Sequence, residues 1–168
     1  MTHFRRFDSS TDEPLWFPQH DGVMGGLSTG QAQIIDGTLQ FSGEISLERN
    51  GGFAQVYSLL EETDFSDHTG IRLRIKGDGR VYQFRLASDA RYRGAQIAYW
   101  SEFPTEAGQW TEVSLPFDSF APSYRGRALQ GPPLKLSAIQ RIAFLLSDGK
   151  PGAFWLTVDW IGLESGPK

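Results

Sequence analysis

The chain contains no cysteine, and that single absence excludes disulfides, thiolate zinc sites, iron–sulfur clusters and cysteine nucleophiles together. It also lacks any apolar run long enough for a membrane-spanning helix. Basic charge is in deficit: Lys and Arg number 16 against 20 Asp and Glu, and the net charge of -4 argues against a dedicated nucleic-acid binder, whose affinity rests on neutralising phosphates. Arginine outnumbers lysine twelve to four and Asn50 is the only asparagine, a bias expected of a GC-rich bacterial genome. Behind Arg5 and Arg6 no apolar stretch follows, so no secretory signal is expected and the cytoplasm is the expected address. The three histidines, His3, His20 and His68, have no metal-ligand spacing to one another.

What the sequence does have is turns and rings. Nineteen glycines and nine prolines in 168 residues exceed the usual share. Between them recur short runs with strand character: 38–46, 52–58, 70–76, 80–88, 96–102, 110–116, 140–147 and 154–163, with a weaker one at 31–35. The clearest alternation sets Ile71, Leu73 and Ile75 on one face and Arg72 and Arg74 on the other. After the turn at Lys76 to Arg80, Tyr82, Phe84 and Leu86 share a face opposite Gln83 and Arg85, and the two runs read as an antiparallel hairpin. Helical signal is confined to short candidates at 59–62 and 137–140, so the βαβ alternation of a parallel sheet is missing. The expected fold is all-β, an antiparallel two-sheet sandwich or jelly roll, in one domain over residues 1–168 with a core at about 7–163. The longest stretch without strand pattern, 116–133, is expected to be a functional or mobile loop.

Most motifs that suggest catalysis fail on context. Gly26-Leu27-Ser28-Thr29-Gly30 has the spacing of a nucleophile elbow, yet a glycine-rich loop precedes it and strand pattern follows. His20 and Asp21 could form an acid/base dyad, but a lone His beside Asp is common on surfaces. Carboxylates are plentiful without a visible pair, and Asp78, Asp89, Asp118 and Asp148 sit in turn contexts that an Asx turn explains, leaving a loop calcium open. Of the 22 aromatic residues most are needed to fill the core. Opposite orientations of Tyr99 and Trp100 require one ring of that pair to point outward, and Trp155 stands likewise opposite Phe154 and Leu156. Outward rings beside Gln83, Arg85 and the 124–127 segment would suit a sugar or a protein partner.

The run Trp16-Phe17-Pro18-Gln19-His20-Asp21-Gly22-Val23-Met24-Gly25-Gly26-Leu27-Ser28 resembles the opening of the complex I intermediate-associated protein 30 family, with His20 where that family has asparagine. Phe41-Ser42-Gly43 leading to Asn50-Gly51-Gly52-Phe53-Ala54, then Gly77-Asp78-Gly79-Arg80-Val81-Tyr82, then Trp110 with Leu115-Pro116-Phe117 and Phe120, continue the resemblance in order. Gly152 to Leu156, with Asp159 and Ile161, closes it. The resemblance implies a galactose-binding-domain-like jelly roll and a role similar to a non-catalytic assembly chaperone of respiratory complex I. It supplies neither a nucleophile nor a cofactor, so no catalytic residue is expected. The candidate binding set is Asp21, Gly25, Gly26, Ser28, Asn50, Gly51, Gly52, Gln83, Arg85, Trp100, Tyr124 and Arg125. A protein partner is expected first, complex I assembly intermediates among the candidates, and a carbohydrate or other small ligand second.

Overall fold

A computed structural model describes residues 2–7, 15–20, 27–48, 52–124 and 127–165. Its strands are β1 (Thr2–Arg6), β2 (Phe17–His20), β3 (Thr29–Ile35), β4 (Thr38–Ile45), β5 (Ala54–Thr63), β6 (Gly70–Gly77), β7 (Val81–Ala87), β8 (Arg91–Tyr92), β9 (Ala95–Gln96), β10 (Ala98–Pro104), β11 (Trp110–Pro116), β12 (Ala121–Tyr124), β13 (Arg127–Ala128), β14 (Ile139–Leu146) and β15 (Gly152–Glu164). Two sheets hold nearly all of them. The first is six-stranded, in the order β11-β6-β15-β4-β3 with β1 also on β15; the second is seven-stranded, in the order β13-β12-β10-β7-β14-β5-β2. Every named strand pairing is antiparallel.

The expected jelly-roll sandwich is what forms, and its reason is the two-residue period. Leu39, Phe41, Ile71, Leu73, Ile75, Leu156 and Val158 point inward from the first sheet, and Val56, Tyr82, Phe84, Leu86, Tyr99, Phe103, Ile142 and Phe144 from the second. Edge-to-face ring pairs join the two sheets, Tyr82 meeting Phe41 at 6.3 Å and Phe154 at 6.4 Å between centroids, and others such as Phe84 with Phe144 at 5.1 Å link neighbouring strands of one sheet.

Three expectations are corrected. β6 and β7 are not a hairpin: β6 pairs β11 and β15 in one sheet, and β7 pairs β10 and β14 in the other. Both arrangements bury the same alternate residues, so periodicity could not separate them. The crossover is held by Thr105, whose hydroxyl donates to the Arg80 carbonyl at 2.7 Å and accepts from the Gly79 N–H at 3.0 Å. Gly77 has to be glycine, because a Cβ there would lie 2.6 Å from the Thr105 side chain. Second, residues 59–62 are strand. Arg141 stands opposite Leu59 and Ile139 opposite Thr63, so residues 60–62 of β5 bulge past the single residue Gln140. The other helical candidate gives one 3-10 turn, Leu136–Ala138, before β14 begins. Third, the 116–133 segment holds a 3-10 turn at Phe117–Ser119 and the paired strands β12 and β13.

The turn between the sheets is densely hydrogen-bonded. The Arg80 guanidinium donates to both Asp148 oxygens, Nε to Oδ2 at 2.8 Å and Nη2 to Oδ1 at 2.9 Å. It reaches the carbonyls of Gly152 and Ala153 at 3.3 and 3.2 Å and that of Lys150 as well. Asp78 accepts from the N–H groups of Arg80 at 3.1 Å and Trp155 at 3.0 Å, and the Tyr82 hydroxyl lies 2.9 Å from the Trp155 carbonyl. Burial first, and the Asp78 charge second, raise the Tyr82 phenol well above its ordinary value. The Gly77-to-Tyr82 motif thus forms a clasp joining β7 of one sheet to β15 of the other.

Candidate functional site

The outward face of the seven-stranded sheet collects side chains that the core does not use. In one row across it Trp100 stands opposite Arg85, Arg85 opposite Ala143, Ala143 opposite Tyr57 and Tyr57 opposite Phe17. The next row runs Glu102, Gln83, Leu145, Gln55 and Gln19, and a third brings Ala87, Arg141 and Leu59 together. Because alternation is strict in β7 and β10, burying Phe84 and Tyr99 forces Arg85 and Trp100 outward. Arg141 lies next to the bulge in β5, where the ladder shifts register.

Arg85 and Arg141 line one depression of about 330 Å³ with Gln19, Gln55 and Gln96. Gln19 Oε1 accepts from Gln55 Nε2 at 2.8 Å and from Arg141 Nη2 at 3.2 Å, while Arg85 Nε donates to Gln83 Oε1 at 3.0 Å. The Arg141 guanidinium lies 4.1 Å over the Tyr57 ring, within cation–π range. Among the described residues, neither arginine forms an ion pair with a carboxylate. Burial, with the Arg141 charge second, pushes the Arg85 guanidinium down to about 10. Burial also lowers Arg141, against the opposing influence of Tyr57. At neutral pH both stay charged, two neighbouring cations in a partly dry depression lined by amides.

The sequence-derived candidates fall in separate places. Gln83, Arg85 and Trp100 come together on this face. Ser28 is buried and engaged with the backbone of Ser46, donating to its carbonyl at 3.1 Å and accepting its N–H at 2.9 Å. Gly52, with φ at +140°, sits just ahead of β5 against Leu47. Tyr124 packs its ring on Tyr92 at 5.1 Å, toward the β12–β13 edge. Asp21, Gly25, Gly26, Asn50, Gly51 and Arg125 lie outside the described residues. Of the candidate rings, Trp100 and Trp155 face outward, Trp155 with 39% of its surface exposed. Tyr99 is the inward ring of its pair, fully buried, and its hydroxyl donates to the Pro132 carbonyl at 2.7 Å.

Arg141, Gln19, Gln55 and Tyr57 were missed. The signal available was Arg141, the one charged residue of the central strand Ile139–Leu146, where its neighbours two and four residues on are Ala143 and Leu145. Among the described residues no group of three or more His, Asp or Glu side chains is placed to hold a metal ion. The turn aspartates are engaged otherwise: Asp148 with Arg80, and Asp89 with Lys135 at 3.1 Å. No helix among the described residues is long and apolar enough to cross a membrane.

Two antiparallel sheets with an inward ring-filled core and a polar, ring-bearing outer face define a galactose-binding-domain-like β-sandwich. The chain belongs to the family described as Complex I intermediate-associated protein 30, whose profile matches residues 5–158. It is 29% identical over 183 residues to the mouse protein named Complex I intermediate-associated protein 30, mitochondrial, covering 96% of this chain and 56% of that one. A Drosophila melanogaster protein of the same name is 26% identical over 110 residues, covering 62% of this chain and 37% of that one. The chain therefore spans about half or less of the length of these relatives. Among solved structures, a family 11 carbohydrate-binding module from Clostridium thermocellum, in complex with a β-1,3-1,4-mixed-linked tetrasaccharide, superposes with a TM-score of 0.77 at 19% identity over 99% of this chain and 96% of that one. At that identity the likeness is one of fold.

Proposed function

We propose that this chain is a non-catalytic binding module that holds a partner protein against the outward face of its seven-stranded sheet, in the manner of a complex I assembly factor. The observation that carries the reading is that face itself. It presents Arg85, Arg141 and Trp100 half-buried in one patch with the exposed side chains Phe17 and Leu59, at 42% and 64% exposure, at its margin. Rings and arginines at the centre with an exposed rim are the composition of protein interfaces. Family membership supports a protein partner over other ligands, and assembly intermediates of complex I are its proposed source. Asp21, Gly25, Gly26, Asn50, Gly51 and Arg125 stay in the proposed binding set, and the cytoplasm is the proposed place of action.

The test is affinity capture of the tagged chain from its source cells after mild cross-linking, with mass spectrometry of the specific preys. Wild type is expected to enrich complex I subunits or their assembly intermediates, and a Phe17→Asp, Trp100→Ala variant to lose them. Equal recovery by the variant overturns the use of this face.

A second reading, a carbohydrate-binding module, is favoured by the outward rings of Trp100 and Trp155 and by the fold shared with the family 11 module. Quenching of tryptophan fluorescence by mixed-linked glucan, abolished in Trp100→Ala, would replace the first reading with this one.

A further inference from the structure

We infer that the depression between Arg85 and Arg141 is a carboxylate site, and that it takes a glutamate or aspartate side chain from an extended acidic segment of a partner protein. This deepens the reading of the seven-stranded face as a protein-docking surface and rests on it. A half-buried guanidinium without a counter-charge loses hydration without recovering it, and here two such groups, neither of them ion-paired among the described residues, share one depression. Elsewhere the chain pairs comparable groups: Arg80, at 12% side-chain exposure, is locked onto Asp148, and Arg74 lies 3.0 Å from Asp159. The unpaired pair is therefore a local departure from the protein's own pattern.

The donors also have a shape. Each guanidinium spends one edge on a glutamine, Arg85 Nε on Gln83 and Arg141 Nη2 on Gln19. The remaining N–H groups of each fork match the two oxygens of a carboxylate, the geometry for which arginine outperforms lysine. Around them Gln55 and Gln96 turn their amide N–H groups to Gln19 and to the Ser88 carbonyl, which leaves amide oxygens as acceptors for the backbone N–H groups of an extended peptide. A neutral sugar is served less well at this spot. The Tyr57 ring, which would be its stacking platform, has Arg141 over it at 4.1 Å and Phe17 beside it at 5.7 Å. The outward row Arg85, Ala143, Tyr57 supplies a shallow floor, because the small Ala143 separates the two larger side chains.

The test uses the whole chain and fluorescence anisotropy of a short labelled peptide of alternating glutamate and glycine. A peptide with glutamine in place of glutamate serves as comparison, and oligogalacturonate as a carboxylate on a sugar backbone. The glutamate peptide is expected to bind and the glutamine peptide to bind about tenfold or more weakly, a loss reproduced by Arg85→Gln and by Arg141→Gln. Lys76→Gln, on the opposite sheet, should leave binding unchanged. Thermal melting of each variant confirms that it folds. Equal binding of the two peptides, or binding that survives both arginine substitutions, overturns the carboxylate site. Binding of oligogalacturonate alone overturns the polypeptide source. Affinity capture separates the docking face from the carboxylate site: a partner lost by Phe17→Asp, Trp100→Ala but kept by the Arg85→Gln, Arg141→Gln double variant leaves the docking face standing and removes the carboxylate assignment.

Discussion

The outward faces of the two sheets treat arginine in opposite ways. On the six-stranded sheet Arg72 donates to Glu112 at 2.9 Å and to Glu164 at 3.1 Å, and Arg74 to Asp159 at 3.0 Å. Asp159 follows the buried Val158 and so turns outward, and the bulge in β15 between Val158 and Trp160 then returns Ile161 to the core. On the seven-stranded sheet Arg85 and Arg141 meet glutamines and a tyrosine ring instead. A face whose charges are satisfied internally has little left to offer a partner. One whose cations meet no counter-charge among the described residues has its strongest interactions still to make, and pays in stability for keeping them available.

Between the faces, the Arg80–Asp148 clasp shows what a buried arginine does when it is fully matched. Arg80→Ala should be the most damaging of the arginine substitutions, costing about 3–5 kcal/mol in urea unfolding, because it leaves Asp148 at 9% side-chain exposure without its partner. Loss of less than about 1 kcal/mol would show that the clasp is dispensable. The same pair sets an acid dependence. Burial works to raise the Asp148 carboxyl, but the Arg80 hydrogen bonds and the Lys150 N–H prevail and hold it below its ordinary 3.8. A carboxyl depressed in the fold adds stability that is present above 3.8 and lost as pH falls through the folded value. The gap in melting temperature between wild type and Asp148→Asn should therefore be full at neutral pH and close in strong acid. A gap that stays constant would assign the effect to packing.

The two faces also differ in how far the sequence foretold them. Alternation in Gly70–Gly77 and Val81–Ala87 was enough to set Arg72 and Arg74, and Gln83 and Arg85, outside a sandwich. It could not say which strands pair, since the crossover at Gly77 and the hairpin first expected there bury the same residues. The outward turn of Trp100 followed from Tyr99 being inward, yet which ring of that pair was the buried one needed the opposing sheet. Arg141 escaped notice because its strand is a nearly continuous apolar run, and a run of that kind gives no face. The meeting of Gln19, Gln55, Arg85 and Arg141 joins four strands far apart in the chain, a convergence carried by register alone. The Gly77-to-Tyr82 motif read as a turn is a turn, but its aspartate and arginine serve the clasp between sheets.

Two charge-removing substitutions of the same type sharpen the comparison, and they should differ in sign. The Arg85→Gln, Arg141→Gln double variant relieves two desolvated cations and should raise stability by about 1 kcal/mol. Because burial depresses the Arg85 guanidinium to about 10, the unfolded chain holds that proton more tightly, and the penalty stands at every pH below about 10. The smallest effect belongs to Arg72→Gln. Its partners Glu112 and Glu164 are at 40% and 22% side-chain exposure, so losing the pairs should lower stability by only about 0.2–1 kcal/mol. That loss should fade at high salt, since exposed pairs are screened. Denaturant midpoints for both variants at low and high ionic strength decide the matter. If Arg85→Gln, Arg141→Gln destabilises as much as Arg72→Gln or more, the two arginines are bound into the fold, and the seven-stranded face holds no charge in reserve for a partner.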